Sequence, residues 1–131
     1  MMMSICGHII NNDLFFFNFK KYIINLMSSI LCLGNFGAGN KGQLKVAKLI
    51  EYLYKKYSFK FIIGLGNNIL PKGVSSINDP KFISNFEEPY KELLENIKFY
   101  NILGEADYSS RNSVNSEIKY SEDNKKWVLP H

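Results

Sequence analysis

An apolar run that breaks into closely spaced glycines sets the strongest limit on what this chain can fold into. Ser28-Ser29-Ile30-Leu31-Cys32-Leu33 reads as a buried strand, and Gly34, Gly37, Gly39 and Gly42 follow it directly. A helical pattern begins at once. Strand, glycine-rich turn, helix is the opening unit of an α/β domain, whose site lies at the strand's C-terminal end. Two later stretches repeat the layout: Phe59-Lys60-Phe61-Ile62-Ile63-Gly64-Leu65-Gly66-Asn67-Asn68 and Phe99-Tyr100-Asn101-Ile102-Leu103-Gly104-Glu105-Ala106-Asp107. If the three strands are parallel neighbours, the three turns converge on one crevice.

The bulk numbers narrow the class. With 131 residues the chain is one domain or part of one, able to bury about two-thirds of its unfolded surface. Hydrophobic residues make up 46% and charged residues 21%, a globular balance. The net charge is +4, and Lys41, Lys45, Lys48, Lys55 and Lys56 on the polar side of one helix supply much of it. A solvated helix face is the better reading of those lysines. No recognisable nucleic-acid module accompanies them, so no nucleic-acid partner is expected. Cys6 and Cys32 give neither a disulfide framework nor metal-ligand spacing. His8 and His131 sit at the two ends, so a zinc site or Cys/His pair within the interior is excluded.

Along the chain, residues 1–27 read as a leader, either signal-like or misassigned. Apolar runs at 14–19 and 22–33 flank Lys20-Lys21, but neither reaches the roughly 18 residues of a spanning helix. Strands are expected at 28–33, 59–64 and 98–103, with a short extended segment at 127–129. A helix is expected over 43–57, its buried face formed by Leu44, Ala47, Ile50 and Tyr54 with Val46, Leu49, Leu53 and Tyr57. A loop covers 65–78. Asp79-Pro80 then starts a helix that Pro89 should break before Asn96. A short helix is expected over 113–120. Long crossovers make the strands parallel and the connections right-handed. A small parallel sheet with an open edge points to the N-terminal half of a larger domain, or to a truncated product that folds poorly.

Gly37-Ala38-Gly39-Asn40-Lys41-Gly42 spells the G-x-G-x-x-G dinucleotide fingerprint after a strand and before a helix. The second strand lacks the acidic residue that should accompany it, ending instead in Gly64-Leu65-Gly66-Asn67-Asn68. Nucleotide binding at Gly37, Gly39 and Gly42 therefore ranks below glycines that simply permit a tight turn. Lys41 is not followed by Ser or Thr, so the phosphate-loop pattern fails too.

Gly34-Asn35-Phe36-Gly37, Gly66-Asn67-Asn68 and Gly104-Glu105-Ala106-Asp107 stand where the metallophosphoesterases carry GDxG, GDN and GNHD. Three further stretches resemble the purple (tartrate-resistant) acid phosphatase branch: Gly73-Val74-Ser75-Ser76-Ile77-Asn78-Asp79-Pro80, Phe86-Glu87-Glu88-Pro89-Tyr90, and Ile118-Lys119-Tyr120-Ser121 with Lys126-Trp127-Val128-Leu129-Pro130. The resemblance covers 28–131. It implies an α/β layered fold, the N-terminal half of a metallophosphoesterase-like β-sandwich flanked by helices. It also implies a two-metal centre at the strand ends, iron paired with iron, zinc or manganese. The positions that bind metal or assist catalysis in the family are here Asn35, Asn67, Leu70, Glu105 and Ala106, and none of the five matches.

Two metals about 3.5–4 Å apart need anionic ligands, one of them bridging. An Asn amide offers a neutral oxygen, Leu70 offers no ligand atom, and Ala106 cannot move a proton. Glu105, with Asp107, is left as a weak single-cation candidate, and the blander reading of both is solvated loop charge. Asn35, Asn67 and Asn68 equally suit turn capping. No cofactor and no phosphate-ester hydrolysis are expected. Lys41-Gly42-Gln43, Gly66-Asn67-Asn68 and the run from Gly73 to Pro80 also look like the apicomplexan glideosome-anchor proteins, a branch with eroded metal motifs. That likeness implies secretory entry, a membrane anchor outside these residues, and a protein partner among myosin-complex components. The leading expectation is a non-catalytic phosphatase-like scaffold. A residual acid phosphatase and a nucleotide-binding domain are the alternatives.

Overall fold

A computed structural model of the chain describes Met2–Ser4 and residues 29–129. Five parallel strands form one sheet in sequential order: β1 (Met2–Ser4), β2 (Ile30–Leu33), β3 (Ile62–Gly64), β4 (Phe99–Asn101) and β5 (Trp127–Val128). This is a mixed α/β architecture, as the strand–turn–helix pattern requires. β1 lies within the stretch expected to be a leader and pairs Met2 with Ile30. The apolar runs read as signal-like at 14–19 and from 22 lie outside the described residues, apart from Ser29 to Leu33.

Sequential order with right-handed crossovers places every connecting helix on one face of the sheet. Burial follows. The row Leu31, Ile62, Phe99 and Trp127, linked by strand register, is at most 2% exposed. On the other face Tyr100 and Ile102 are 42% and 50% exposed. Successive strand residues point to opposite faces, so one face is core and the other is not.

The covered face is aromatic. Phe36, from the turn after β2, meets Phe86, Tyr90, Phe99 and Trp127 at ring-centroid distances of 6.3, 6.1, 5.5 and 5.9 Å. Tyr90 donates its hydroxyl to the Phe36 carbonyl at 2.9 Å, so the turn is tied to this layer by backbone as well as by ring.

Helix α1 spans Lys41–Tyr57. It starts two residues before the periodicity suggests, because the Asn40 side chain accepts from the Gln43 amide at 3.0 Å. Its buried residues are Gln43, Ala47, Ile50 and Leu53. Leu44, expected inside, is 50% exposed, and the polar Gln43 takes the inner position by donating to the Asn85 carbonyl. Asp79 caps the next helical stretch, accepting from the amides of Ser75 and Lys81 at 2.7 and 3.0 Å. That stretch contains a π-helical turn, Ile83–Glu87, and then breaks near Pro89 before α2, Lys91–Leu94. Phe82, Phe86, Tyr90, Leu93 and Ile97 all point inward from it. α3, Glu105–Tyr108, and α4, Ser113–Asp123, complete the covered side.

Candidate functional site

The three turns do converge. The Asn35 amide donates to the Gly66 carbonyl at 3.2 Å, and the Leu70 amide to the Gly37 carbonyl at 2.9 Å. The Ala106 amide donates to the Asn67 side-chain oxygen at 2.9 Å. The backbones approach so closely that glycine is required. A Cβ on Gly37 would stand 2.1 Å from the Asn68 carbonyl oxygen, and one on Gly66 would stand 2.8 Å from the Gly104 Cα. Gly66 also has φ +89°. These contacts account for the glycines by packing. At the dinucleotide fingerprint, Gly39 gives its N–H to the Gln43 side chain at 2.7 Å and Gly37 is pressed against the β3 turn. Gly42 lies inside the first turn of α1.

Asn35 and Asn67 both adopt left-handed backbone, φ 54° and 53°. Asparagine and aspartate tolerate that region better than most residues. The turn shape at the two positions matched to family aspartates is therefore one that either residue can hold. The side-chain chemistry differs. Asn67 presents a neutral oxygen, and that oxygen is already hydrogen-bonded to the protein's own backbone. Leu70 is partly buried and Ala106 is buried. Glu105 is exposed on α3, and its carbonyl accepts from the Ser109 hydroxyl.

Asp107 does not sit with Glu105 as a cation pair. It is fully buried and its carboxylate accepts from the amides of Asn68, at 2.9 and 3.1 Å, and of Gly104, at 2.8 Å, with Ile69 at 3.4 Å. Its role here is to clamp the β3 turn to the β4 turn. A second carboxyl group lies beside it, one that composition and spacing did not single out. Glu117 of α4 is also fully buried, accepting from the Ser113 hydroxyl at 3.0 Å and from the Asn68 amide group at 3.1 Å. Burial, and then the Asp107 charge, push the Glu117 carboxyl up to about 8. The signal available for it was the stripe Ser113, Ser116, Glu117, Tyr120 on one helix face, polar where an apolar stripe is normal. Asn68 and Asn101 complete this interior and are both fully buried, with the Asn101 amide unpartnered on both atoms.

As donors these residues do not fit the two-metal centre of the resembled family. Two amides replace carboxylates, one of those amides is occupied, one position has no donor atom, and the buried aspartate is spent on backbone amides. Among the described residues no three His, Cys, Asp or Glu side chains gather as a metal-holding group.

No protein-family model matches the chain. It is 32% identical to rabbit tartrate-resistant acid phosphatase type 5 over 85 residues, 64% of this chain and 26% of that protein. It is 29% identical to purple acid phosphatase 7 of Arabidopsis thaliana over 100 residues, 76% of this chain and 30% of that protein. Against glideosome-associated protein 50 of Plasmodium falciparum the identity is 27% over 129 residues, covering 84% of this chain and 32% of that protein. The solved structure of GAP50, described as the anchor in the inner membrane complex of Plasmodium, superposes with a TM-score of 0.68 at 27% identity, over 78% of this chain and 33% of that one. The chain thus spans about a quarter to a third of the length of these relatives. Its homologues are the purple and tartrate-resistant acid phosphatases and the glideosome anchor GAP50.

Proposed function

We propose that this chain is a catalytically degenerate purple-acid-phosphatase-like scaffold, residues 28–131 forming a partial metallophosphoesterase-like domain. The observation that carries the reading is the use of the strand-end side chains. Asn67 and Asp107 bond the protein's own amides, and the turns hold one another rather than leaving charged donors free. A scaffold that keeps the turns and drops their charges fits a relative known as an anchor better than relatives known as phosphatases. In this reading the partner is a protein, and residues 1–27 remain a leader whose tip, β1, adds an edge to the sheet. Membrane association would follow the GAP50 likeness. Among the described residues no helix is long and apolar enough to cross a membrane.

The test is hydrolysis of p-nitrophenyl phosphate by the folded chain between acidic and neutral pH, with iron, zinc or manganese supplied. Rates equal to metal-only controls are expected. Turnover that tracks the folded fraction would install the residual acid phosphatase in its place.

A further inference from the structure

We propose that the proton held between Glu117 and Asp107 is a latch on α3 and the first half of α4: as pH rises, these elements come away from the strand-end turns while the sheet stays folded. The geometry sets this corner apart from the rest of the covered side. The buried residues of α4 are Ser113, Ser116 and Glu117, all polar. α3 buries only Ala106 and Asp107. Hydrogen bonds hold this end of the molecule where an apolar helix face would normally do so. The Ser113 hydroxyl accepts from the Val74 amide at 2.9 Å and donates to Glu117 at 3.0 Å. The Asn68 amide group donates to the Ile102 carbonyl at 3.0 Å and to Glu117 at 3.1 Å. Glu117 thus joins α4 to the β3 turn, and Asp107 joins α3 to the β3 and β4 turns.

Two buried carboxyl groups that face each other resist carrying two charges. Asp107 accepts backbone amides on both of its oxygens, so the shared proton sits on Glu117. The other groups facing Glu117 are neutral, Asn68 from the β3 turn and Ser113 from its own helix, and their hydrogens are already committed. Lys81 reaches the neighbouring loop but gives its ammonium to the Gly73 carbonyl at 2.9 Å. Among the described residues no cation answers a second negative charge at this point, and a buried charge without a partner is strongly destabilising. Burial and the Asp107 charge, which push the Glu117 carboxyl up to about 8, agree with the arrangement. The far end of α4 is held differently. Tyr120 stacks on Phe82 with ring centroids 3.8 Å apart, and the Tyr120 hydroxyl and Asn124 amide group both bond Glu87. The release therefore hinges between Glu117 and Tyr120. The latch goes beyond the scaffold reading and does not depend on it.

The test is amide hydrogen exchange of the full chain, read by mass spectrometry and corrected for the intrinsic pH dependence of exchange. Protection of residues 105–117 should fall by about tenfold per pH unit from pH 5 and level off above about 8, because over that range Glu117 keeps its proton only in the closed form. Protection of α1, β3 and residues 120–124 should hold throughout, since local opening leaves the rest of a fold closed. Glu117→Gln keeps a donor without a charge and should flatten the profile of 105–117. A second measurement needs no variant: infrared spectra of the native chain at pH 6.5 should show the carbonyl band of a protonated carboxylic acid, and the band should vanish as pH passes about 8. Should Glu117→Gln fail to fold, the native exchange profile and the infrared band still decide. Protection of 105–117 that ignores pH, an equal loss across α1 and β3, a folded Glu117→Gln chain that keeps the native slope, or absence of the acid band each overturns the proposal. Phosphatase turnover would sink the scaffold reading and leave the latch in place.

Discussion

The aromatic layer under the sheet and the turns at the strand ends are built on the same four strands, β2 to β5, but are held by different forces. Phe36, Phe86, Phe99 and Trp127 exclude water, Phe36 packing tilted against the other three and Phe86 edge to face on Phe99 and Trp127, with Phe86 and Trp127 centroids 4.8 Å apart. The turns a few residues further on use amides, carboxyls and glycine backbone. Apolar packing depends on volume and tolerates many sequences. A buried polar network depends on each partner being present. The layer can thus persist in relatives of any function, whereas the turns record which function is served. In the proposed reading the turn backbone is kept and the ionic side chains are changed.

The largest effect should come from the aromatic side. Trp127→Ala removes the side chain that joins Phe36, Phe82, Phe86 and Tyr120. It should cost about 3–5 kcal/mol in denaturant unfolding. A loss below about 1 kcal/mol, the level of an ordinary surface change, would mean that the layer is not the core.

On the turn side, Gly37→Ala sets a methyl group against the Asn68 carbonyl and should destabilise by about 1–3 kcal/mol. If the turns are packed against each other for structure alone, chemical denaturation will detect this change with no ligand present. A neutral effect would reopen the fingerprint as a loop free to receive a ligand.

Next in size is the response to pH, which probes the polar side through Glu117 of α4, buried against Asn68 and Asp107. Glu117 has a folded-state pKa of about 8 against an ordinary 4.5, so the folded chain holds the extra proton between those values. Its contribution to stability is complete below pH 4.5, falls as pH rises, and is gone above about 8. Melting temperature should therefore drop from pH 5 to pH 8.5. Glu117→Gln keeps the shape without the charge and should flatten that fall. An unchanged slope in the variant would assign the pH dependence to another group.

The smallest effect belongs to the exposed face of α1. Lys45→Gln should shift stability by no more than about 0.5 kcal/mol. A larger loss in thermal unfolding would show that the lysine row supports the fold itself.

Much of this was legible in the sequence. Apolar runs ending in glycine marked β2, β3 and β4, Trp127-Val128-Leu129 marked β5, and Asp79-Pro80 and Pro89 marked a helix start and a break. The physical reason is that backbone chemistry is local: proline and glycine act wherever they stand. What escaped depends on contacts across the chain. Gln43 replaced Leu44 inside because Asn85 lies opposite it. α3 is a single turn, too short to show a period. Glu117 was passed over as a site residue: the polar stripe of α4 hinted at it, but its environment is assembled from Asn68, Asp107 and Ser113, distant or polar residues that no hydrophobic pattern gathers. The strand-end positions themselves, Asn35, Asn67, Leu70, Glu105 and Ala106, were singled out through resemblance alone. Their hydrogen bonding became apparent only in three dimensions.

The central claim is that the turns are retained without the metal centre that the related phosphatases imply. The direct measurement is metal per chain, counted by mass spectrometry on the monodisperse, folded fraction after exposure to iron, zinc and manganese. The account predicts that no stoichiometric metal survives gel filtration. Two metals per folded chain would contradict it.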